Sequence, residues 1–315
     1  MLAETTDGRK IKITAHIKLS QPLAENKAQG AFGIGLLELW PIAGDLPVRE
    51  QEERYFDTLR ELGETAGGEA VTILLPDLGL EPTRDICHEK TPSPGCHGIR
   101  AFLAGSEFYR PYLRAVLRAG TEGSFEMALP MVGHVSEITG FKETLHQLKS
   151  ELEEEGRPCS PPPTGIMVEV PSVIPSLDIM LWETRFFLVG KRFLKFLMAD
   201  DRLSNDEDDF FPFYHRAFLL QALALTENLR KRKGYARICA PIVKDPPAVP
   251  LLVGLGFGEI VAPPELIPGI VEIIESISYL NARMTLSKAI AFWHPEETRA
   301  YAEEALHKLI RHHKG

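Results

Sequence analysis

Short apolar runs alternate with segments of helical periodicity along most of this chain. Strands are predicted at residues 11–17, 33–37, 70–75, 125–131, 165–170, 185–189, 236–240 and 258–262. Most of these runs are apolar on both faces, which is typical of strands buried between a packed interior and a layer of helices. Strands that alternate with helices favour a parallel sheet. Eight such units predict an α/β fold of the (β/α)8 TIM-barrel type.

Apolar residues recur at helical spacing in the segments between these strands. The clearest stripes are Tyr55, Phe56, Leu59 and Leu62; Leu145, Leu148 and Leu152; and Phe218, Leu219, Ala222 and Leu225. After the last strand, residues 266–280 and 296–313 predict two further helices outside the barrel. No stretch has the composition of a domain linker, so we expect one domain of residues 1–315, with the barrel at 8–275 and extra helices in 276–315.

The composition excludes several classes of function. The formal net charge of −9 argues against a nucleic-acid partner, which needs a basic face. No apolar run approaches the roughly 20 residues of a membrane-spanning helix, so no membrane partner is expected. The first residues are polar and unlike a signal peptide, and four cysteines in a chain of this length do not form a disulfide framework. These features predict a cytoplasmic protein.

Ionisable residues collect where the predicted strands end. Functional groups of (β/α) barrels lie at the C-terminal ends of the strands, so these residues are expected to share one mouth. They are Asp77, Glu169, Lys191, Arg192 and Cys239 near strand ends, with Arg100 and Arg202 in nearby loops. Their chemistry predicts a site for a small anion beside a thiol. The alternative is that the charges pair with carboxylates and hold loops, and that Cys239 is a small core residue.

Two further motifs predict structure rather than chemistry. Cys87-His88 and Cys96-His97 lie in a proline-containing loop and match none of the common zinc-ligand spacings, so no zinc is expected there. The glycine-rich run at 254–258 follows a predicted helix and precedes a strand, which is the reverse of the order in a dinucleotide-binding site. It predicts the C-terminus of a helix and a turn.

Several segments together resemble one known family. They are Asp7-Gly8-Arg9 with 11–17, 30–36, 71–73 with Asp77, 113–119, 130–132 with Glu137, 165–172, Cys239 with Asp245-Pro246, 250–256 and 262–268. In this order they resemble the phosphoenolpyruvate-binding (β/α) barrel of enzyme I of the sugar phosphotransferase system and of pyruvate phosphate dikinase. The similarity extends from about residue 6 to 275.

This resemblance implies roles for individual residues. In the family, phosphoenolpyruvate binds together with Mg²⁺, and Glu169 occupies the position of the first magnesium-binding carboxylate. Arg100 and Arg202 match two family arginines. Cys239 matches the acid that protonates the enolpyruvate carbon, although the Cys-Gly-Glu context of the family is here Cys239-Ala240-Pro241. The resemblance therefore implies a substrate pocket with its proton donor.

Other family positions are replaced in this chain. Glu38 and Leu74 stand where the resemblance implies arginines, and Pro82 stands in place of a lysine. The second magnesium carboxylate corresponds to Phe193, which offers no oxygen to a metal. Each lost charge-assisted contact would cost about 1.5–3 kcal/mol of binding energy. We therefore expect weak magnesium-dependent binding of phosphoenolpyruvate, with Lys191 and Arg192 adding cations nearby.

The replaced residues leave more than one function open. The first interpretation is a regulatory, anion-binding or dimerisation subunit without a cofactor, unable alone to transfer the phosphoryl group, and a homodimer by family resemblance. The alternative is an active transferase-like enzyme on phosphoenolpyruvate, pyruvate or a related phospho- or keto-acid, with Cys239 as general acid. It would use Mg²⁺ if the family chemistry survives, with a separate phosphohistidine-domain protein acting in trans. Whether the chain is an enzyme stays open at this point.

Overall fold

The computed structural model describes residues 1–19, 33–39, 46–77, 97–200 and 209–313, with side chains as far as residue 310. Nine strands lie within these ranges. They are β1 Leu2–Glu4, β2 Lys10–Lys18, β3 Ile34–Glu38, β4 Val71–Leu74, β5 Phe125–Leu129, β6 Thr164–Val168, β7 Phe187–Gly190, β8 Ala236–Cys239 and β9 Glu259–Ala262. Strands β2 to β9 correspond to the eight strands predicted from the apolar runs, with ends that differ by one or two residues in most cases.

The strands form one sheet in the order of the sequence, and β2 also pairs with β9. The pairing of β2 with β9 is parallel and places Ile13 opposite Ile260. The fold is therefore the (β/α)8 barrel that the alternation of strands and helices predicted. Strand β1 was not predicted. It pairs antiparallel with β2 through a turn at Asp7-Gly8, where Gly8 has a φ of 87°.

Helices follow most strands. They are α1 Val48–Thr65, α2 Ile99–Ala104, α3 Arg110–Ala119, α4 Val135–Glu154, α5 Leu177–Glu183, α6 Arg192–Met198, α7 Arg216–Lys231, α8 Val249–Leu255, α9 Ile267–Ser276, α10 Tyr279–Ala289 and α11 Pro295–His313. The glycine-rich run ends α8 at Gly256, which adopts a left-handed φ of 92°. This confirms the predicted helix C-terminus. No helix among the described residues is long and apolar enough to cross a membrane.

The prediction of two C-terminal helices was wrong in one respect. The segment 266–280 does not form one helix, because α9 ends at Ser276 and a new helix, α10, begins at Tyr279. Ser278 caps α10 by accepting a hydrogen bond from the Asn281 backbone nitrogen at 3.1 Å. The buried face of α10 consists mainly of small residues, Ala282, Thr285 and Ala289. Such a face produces little hydrophobic periodicity, so the helix was missed.

The chain folds into two compact units. The first unit comprises Met1–His16, Val168–Leu177 and Phe186–Gly315, and the second comprises Ile17–Met167 and Asp178–Arg185. In the first unit, Asp245 attaches the C-terminal helix α11. Its Oδ2 accepts hydrogen bonds from the Tyr214 hydroxyl at 2.7 Å and from Arg299 Nε at 2.9 Å. A single domain for residues 1–315 stays a prediction.

The second unit contains an ionic network between helices α1 and α3. Arg114 Nε donates to Glu52 Oε2 at 2.6 Å, and Arg118 donates to Glu52 Oε1 at 2.7 Å and to Glu53 Oε2 at 2.9 Å. Glu52 and Arg114 are both buried. A buried carboxylate is costly unless it is paired, so these arginines allow α1 to bury a charged position of its inner face.

Candidate functional site

The candidate site residues of the first unit follow the ends of three strands. Glu169 comes directly after β6, Lys191 comes directly after β7, and Cys239 is the last residue of β8. Strands β7 and β8 are parallel, and Gly190 is paired with Cys239 across them. Lys191 is therefore the residue directly after Gly190, the neighbour of Cys239 in the sheet. In a (β/α)8 barrel these strand ends carry the functional groups.

Glu169 lies beside Arg192, the first residue of α6. The Arg192 Nε is 3.7 Å from the Glu169 Oε1, a distance that allows an ion pair but is longer than a hydrogen bond. The Glu169 side chain is 2% exposed and that of Arg192 is 25% exposed. A buried carboxylate needs a compensating positive charge. The guanidinium group of Arg192 supplies such a charge in this structure.

Phe193 is packed as a core residue. It is 1% exposed, and its ring lies edge-on to that of Phe218, with 6.1 Å between the ring centroids. The position that the family resemblance assigned to a second magnesium carboxylate is therefore apolar. A magnesium site of this type uses carboxylate oxygens together with substrate oxygens. With Phe193 buried and Arg192 next to Glu169, the residues present do not fit that ion.

Cys239 has a half-buried free thiol. The chain leaves the strand through Ala240 and enters a short 3-10 turn at Pro241–Lys244, and Asp245 follows it. Because Asp245 is held by Tyr214 and Arg299, the segment after Cys239 is attached to the fold within a few residues of the thiol. Where the family resemblance implies Cys-Gly-Glu, this chain has Cys239-Ala240-Pro241, and Pro241 begins the turn.

Arg100, in the second unit, has a structural partner. Its Nε donates to the Glu137 Oε1 at 2.7 Å. The other oxygen, Glu137 Oε2, accepts hydrogen bonds from the backbone nitrogens of Gly133 at 2.7 Å and His134 at 3.0 Å. His134 is the N-cap of helix α4, and its ring nitrogen accepts a hydrogen bond from Ser136. The carboxylate of Glu137 therefore connects Arg100 to the start of a helix.

Asp77 also has a structural role. Its Oδ1 accepts a hydrogen bond from the Gly98 backbone nitrogen at 2.9 Å and lies 3.4 Å from the His97 Nδ1. Gly98 is the N-cap of α2 and has a φ of 55°. Ile99 then donates its backbone N–H to the Pro130 carbonyl at 3.0 Å. These contacts of Asp77 and Arg100 are of the kind that the alternative prediction described, in which charged residues hold loops in place.

The two positions of the second unit at which the family resemblance implies arginines lie at strand ends, as expected. Glu38 is the last residue of β3, and one of its carboxylate oxygens is 4.0 Å from the Lys18 amine. Leu74 is the last residue of β4. Arg202, Pro82 and the Cys87-His88 pair lie outside the described residues. Within the described part of the chain, no three His, Cys, Asp or Glu side chains are grouped as metal ligands would be.

The pairing of Glu137 with Arg100 was not predicted from the sequence. The signal was present, because Glu137 stands three residues after the N-cap His134, the spacing of a capping box. The Asp245–Arg299 ion pair was also missed. No local spacing joins residues 54 positions apart, so only the tertiary structure reveals this pair.

The structure thus belongs to the class of (β/α)8 barrel proteins, with ionisable residues at the strand ends where such barrels carry their functional groups. Residues 1–279 match the family described as PEP-utilising enzyme, PEP-binding domain. The chain belongs to this family, as the resemblance of its motifs indicated.

Curated relatives are similar over most of this chain. A phosphoenolpyruvate-protein phosphotransferase of Staphylococcus epidermidis is 31% identical over 260 residues, which are 81% of this chain and 46% of that protein. A multiphosphoryl transfer protein of Xanthomonas campestris is 28% identical over 276 residues, which are 85% of this chain and 32% of that protein. The chain thus spans less than half the length of these relatives.

A solved structure is similar in fold. It is a citrate lyase from Burkholderia xenovorans, which superposes with a TM-score of 0.52 at 14% sequence identity. The superposition covers 94% of this chain and 91% of that one. At this identity the similarity concerns the fold alone.

Proposed function

We propose that this protein is a phosphoenolpyruvate-binding-type barrel that has become a regulatory or anion-binding subunit. In this proposal it does not carry out magnesium-dependent phosphotransfer alone. The ligand would be a small carboxylate or phosphate anion, held by Lys191, Arg192 and Arg202 without a metal. Membership of the family supports phosphoenolpyruvate-like chemistry, whereas the replaced residues support the loss of the metal.

The ion pair between Arg192 and Glu169 carries this proposal. A guanidinium group 3.7 Å from the buried carboxylate contributes the positive charge that a metal ion would otherwise contribute. The buried Phe193 removes the second oxygen ligand. An arginine can also present further N–H groups to an incoming anion, because its guanidinium group has five donors. Arg192 is therefore suited to bind both Glu169 and a ligand.

Calorimetric titration tests this proposal. Phosphoenolpyruvate, pyruvate and inorganic phosphate would be titrated into the full chain with and without Mg²⁺. We expect at least one of these anions to bind, with an affinity that changes less than about twofold on addition of Mg²⁺ and falls about tenfold in Arg192→Gln. The matched control Arg60→Gln removes a half-exposed arginine of α1 and should leave binding unchanged. An increase in phosphoenolpyruvate affinity of tenfold or more with Mg²⁺ would contradict the proposal.

A second candidate function is an active enzyme in which Cys239 is the general acid. The observation that favours it is the free thiol at the C-terminal end of β8, beside Gly190. Such an acid would exchange the methyl protons of pyruvate with solvent, which proton NMR in deuterated water detects. Exchange that is lost in Cys239→Ala but kept in Cys159→Ala, the other half-buried free cysteine among the described residues, would favour the enzyme. Absence of exchange in the unmodified chain would exclude this candidate.

The proposed function also involves protein partners. We infer a homodimer and, for the enzyme candidate, a phosphohistidine-domain protein acting in trans in the cytoplasm. The homodimer is inferred from the family resemblance, and the partner in trans from the similar phosphotransferases, which are more than twice as long as the matched region. Light scattering on the purified chain measures the first inference, and a chain that remains monomeric at about 100 µM would contradict it. Phosphoryl transfer from phosphoenolpyruvate to an added phosphohistidine domain tests the second.

A further inference from the structure

A cleft of about 380 Å³ lies in the second unit, between helix α4 and the loop that precedes β6. Its volume falls in the range of small-molecule pockets. Thr164, the first residue of β6, lies in its wall. Asp77 and Arg100 instead follow the C-terminal end of β4, close to the start of α2, and they do not line it. The cleft is therefore separate from the candidate site residues of this unit.

One wall of the cleft is a basic face of α4. Lys142, His146 and Lys149 line it at spacings of four and three residues, which place them on one side of a helix. The Lys142 amine is 2.6 Å from the carboxylate of Glu183, which also lines the cleft, and the Lys149 amine is 3.1 Å from Glu153. Two of the positive charges are thus balanced by carboxylates.

Arg185 and His146 add polar groups that are not balanced. Neither side chain makes a hydrogen bond or an ion pair with any residue that the structure describes. The backbone nitrogen of Arg185 donates to the Thr164 carbonyl at 2.9 Å, which anchors the arginine at the start of β6. Even with Glu153 counted, the cleft retains an excess positive charge that an anion would neutralise.

Thr164 adds a hydroxyl-bearing side chain to the cleft. The residue is 5% exposed and lines the cleft beside Arg185. A threonine hydroxyl can donate a hydrogen bond to a ligand oxygen.

The opposite wall is apolar and rigid. It consists of Pro161, Pro162 and Pro163, and Leu145 packs from the helix side. Proline has no N–H group and a fixed φ, so this wall provides shape without hydrogen-bond donors. The Pro163 carbonyl accepts a hydrogen bond from the Met127 backbone nitrogen at 2.9 Å, which holds the wall against β5.

We propose that this cleft binds a small organic anion that carries a phosphoryl group. The phosphoryl oxygens contact Arg185, His146 and the Thr164 hydroxyl, because arginine suits the geometry of phosphate oxygens and the hydroxyl is a donor. The carbon body lies against Leu145 and the prolines. This site is independent of the function proposed for the strand ends, and its position at the N-terminal end of β6 suits a regulatory ligand.

Calorimetry with glycerol 3-phosphate on the full chain tests this site. We expect saturable binding with a Kd of about 1 mM or lower and no binding of glycerol. Arg185→Gln should weaken binding at least about tenfold, and Thr164→Val about fivefold, because the latter removes one hydrogen bond and keeps the shape. The control Arg60→Gln removes a surface cation of the same unit and should change the affinity less than about twofold.

Several results would overturn the proposal. Absence of binding at about 10 mM glycerol 3-phosphate would remove the site. Equal weakening by Arg60→Gln and Arg185→Gln would show that the anion is attracted only by long-range electrostatic interactions with surface charges, and not by a specific contact in the cleft. Binding that survives in Arg185→Gln and Thr164→Val but is lost in Arg192→Gln would belong to the candidate site at the strand ends. Inorganic phosphate that binds as tightly as glycerol 3-phosphate, and whose binding is weakened by Arg185→Gln but not by Arg192→Gln, would contradict the assigned role of the apolar wall.

Discussion

Arg100 and Glu169 stand at positions that the family resemblance assigns to site residues, and their surroundings differ. In the second unit, Arg100 donates to Glu137, a carboxylate that also accepts the backbone N–H groups of Gly133 and His134. In the first unit, Glu169 is buried and lies 3.7 Å from Arg192. The Arg100–Glu137 pair connects helix α2 to the start of helix α4. The second pair places a positive charge beside a carboxylate at a strand end.

This difference shows that charged residues near strand ends can be held in different ways. Arg100 donates to a carboxylate that also accepts hydrogen bonds from the backbone at the start of a helix. Glu169 is a buried carboxylate, which is costly without a compensating charge, and the guanidinium group of Arg192 lies beside it.

The largest expected effect comes from placing a carboxylate where the family resemblance implies one. Phe193→Asp removes a buried ring and leaves a buried charge, so the free energy of unfolding should fall by about 3–5 kcal/mol. Phe193→Leu keeps the position apolar and should cost less than about 2 kcal/mol. Urea unfolding measures both variants. A Phe193→Asp variant that remains as stable as the unmodified chain and binds Mg²⁺ would show that the metal site persists.

The next effect tests the ion pair of the first unit. Arg192→Met leaves the Glu169 carboxylate without this guanidinium, and we expect a loss of about 2 kcal/mol, below the value for a fully buried pair because Arg192 is 25% exposed. In Arg192→Met/Glu169→Gln the cost should be smaller than the sum of the single costs. A double-mutant cycle in urea measures this coupling, and strict additivity would contradict the pairing.

Arg100 should matter less for stability than its partner. Glu137→Ala removes the acceptor of the Gly133 and His134 N–H groups as well as the ion pair, for an expected loss of about 1–2 kcal/mol. Arg100→Met removes the ion pair with Glu137 at a side chain that is 34% exposed, and it should cost less than about 1 kcal/mol. Thermal unfolding of the two variants provides the measurement. The reverse order would mean that Arg100 has a larger structural role than these contacts indicate.

The smallest effect concerns Glu53, a 44% exposed carboxylate in the ionic network between α1 and α3, and serves as a baseline. The hydrogen bond from Arg118 is the main reason why the pKa of Glu53 lies below its ordinary value of 4.5. A lowered pKa stabilises the folded chain above pH 4.5, and this contribution is lost as the pH falls through the folded value. Because Glu53 is 44% exposed, Glu53→Gln should cost at most about 0.5 kcal/mol at pH 7. The cost should shrink as the pH is lowered below 4.5 in urea unfolding, and a cost that grows on acidification would contradict the assignment.

Local patterns in the sequence were enough to predict the fold class and the order of the strands. Apolar runs such as 125–131 and 236–240 mark buried parallel strands because both faces of such strands avoid water. The glycine-rich run likewise identified the end of α8, since Gly256 adopts a conformation that other residues rarely adopt. The antiparallel strand β1 was missed although Asp7-Gly8 is a known hairpin signal.

The charges at the candidate site were identified by position, but their partners were not. Spacing placed Glu169, Lys191 and Arg192 at strand ends, and the family resemblance suggested a vacated metal position at Phe193. Which carboxylate faces which cation depends on the separation of side chains from different elements. The Arg100–Glu137 pair joins residues 37 positions apart, and local periodicity does not describe such distances.

The sequence by itself determined that this chain forms a (β/α)8 barrel, because strand and helix periodicities express the local balance of burial and exposure. The tertiary structure alone decided which charges are buried and what lies beside them. It placed a guanidinium next to Glu169 and brought Thr164 and Arg185 into the lining of one cleft. The physical reason is that desolvation and ion pairing depend on distances in space, which residues far apart in the sequence bring together.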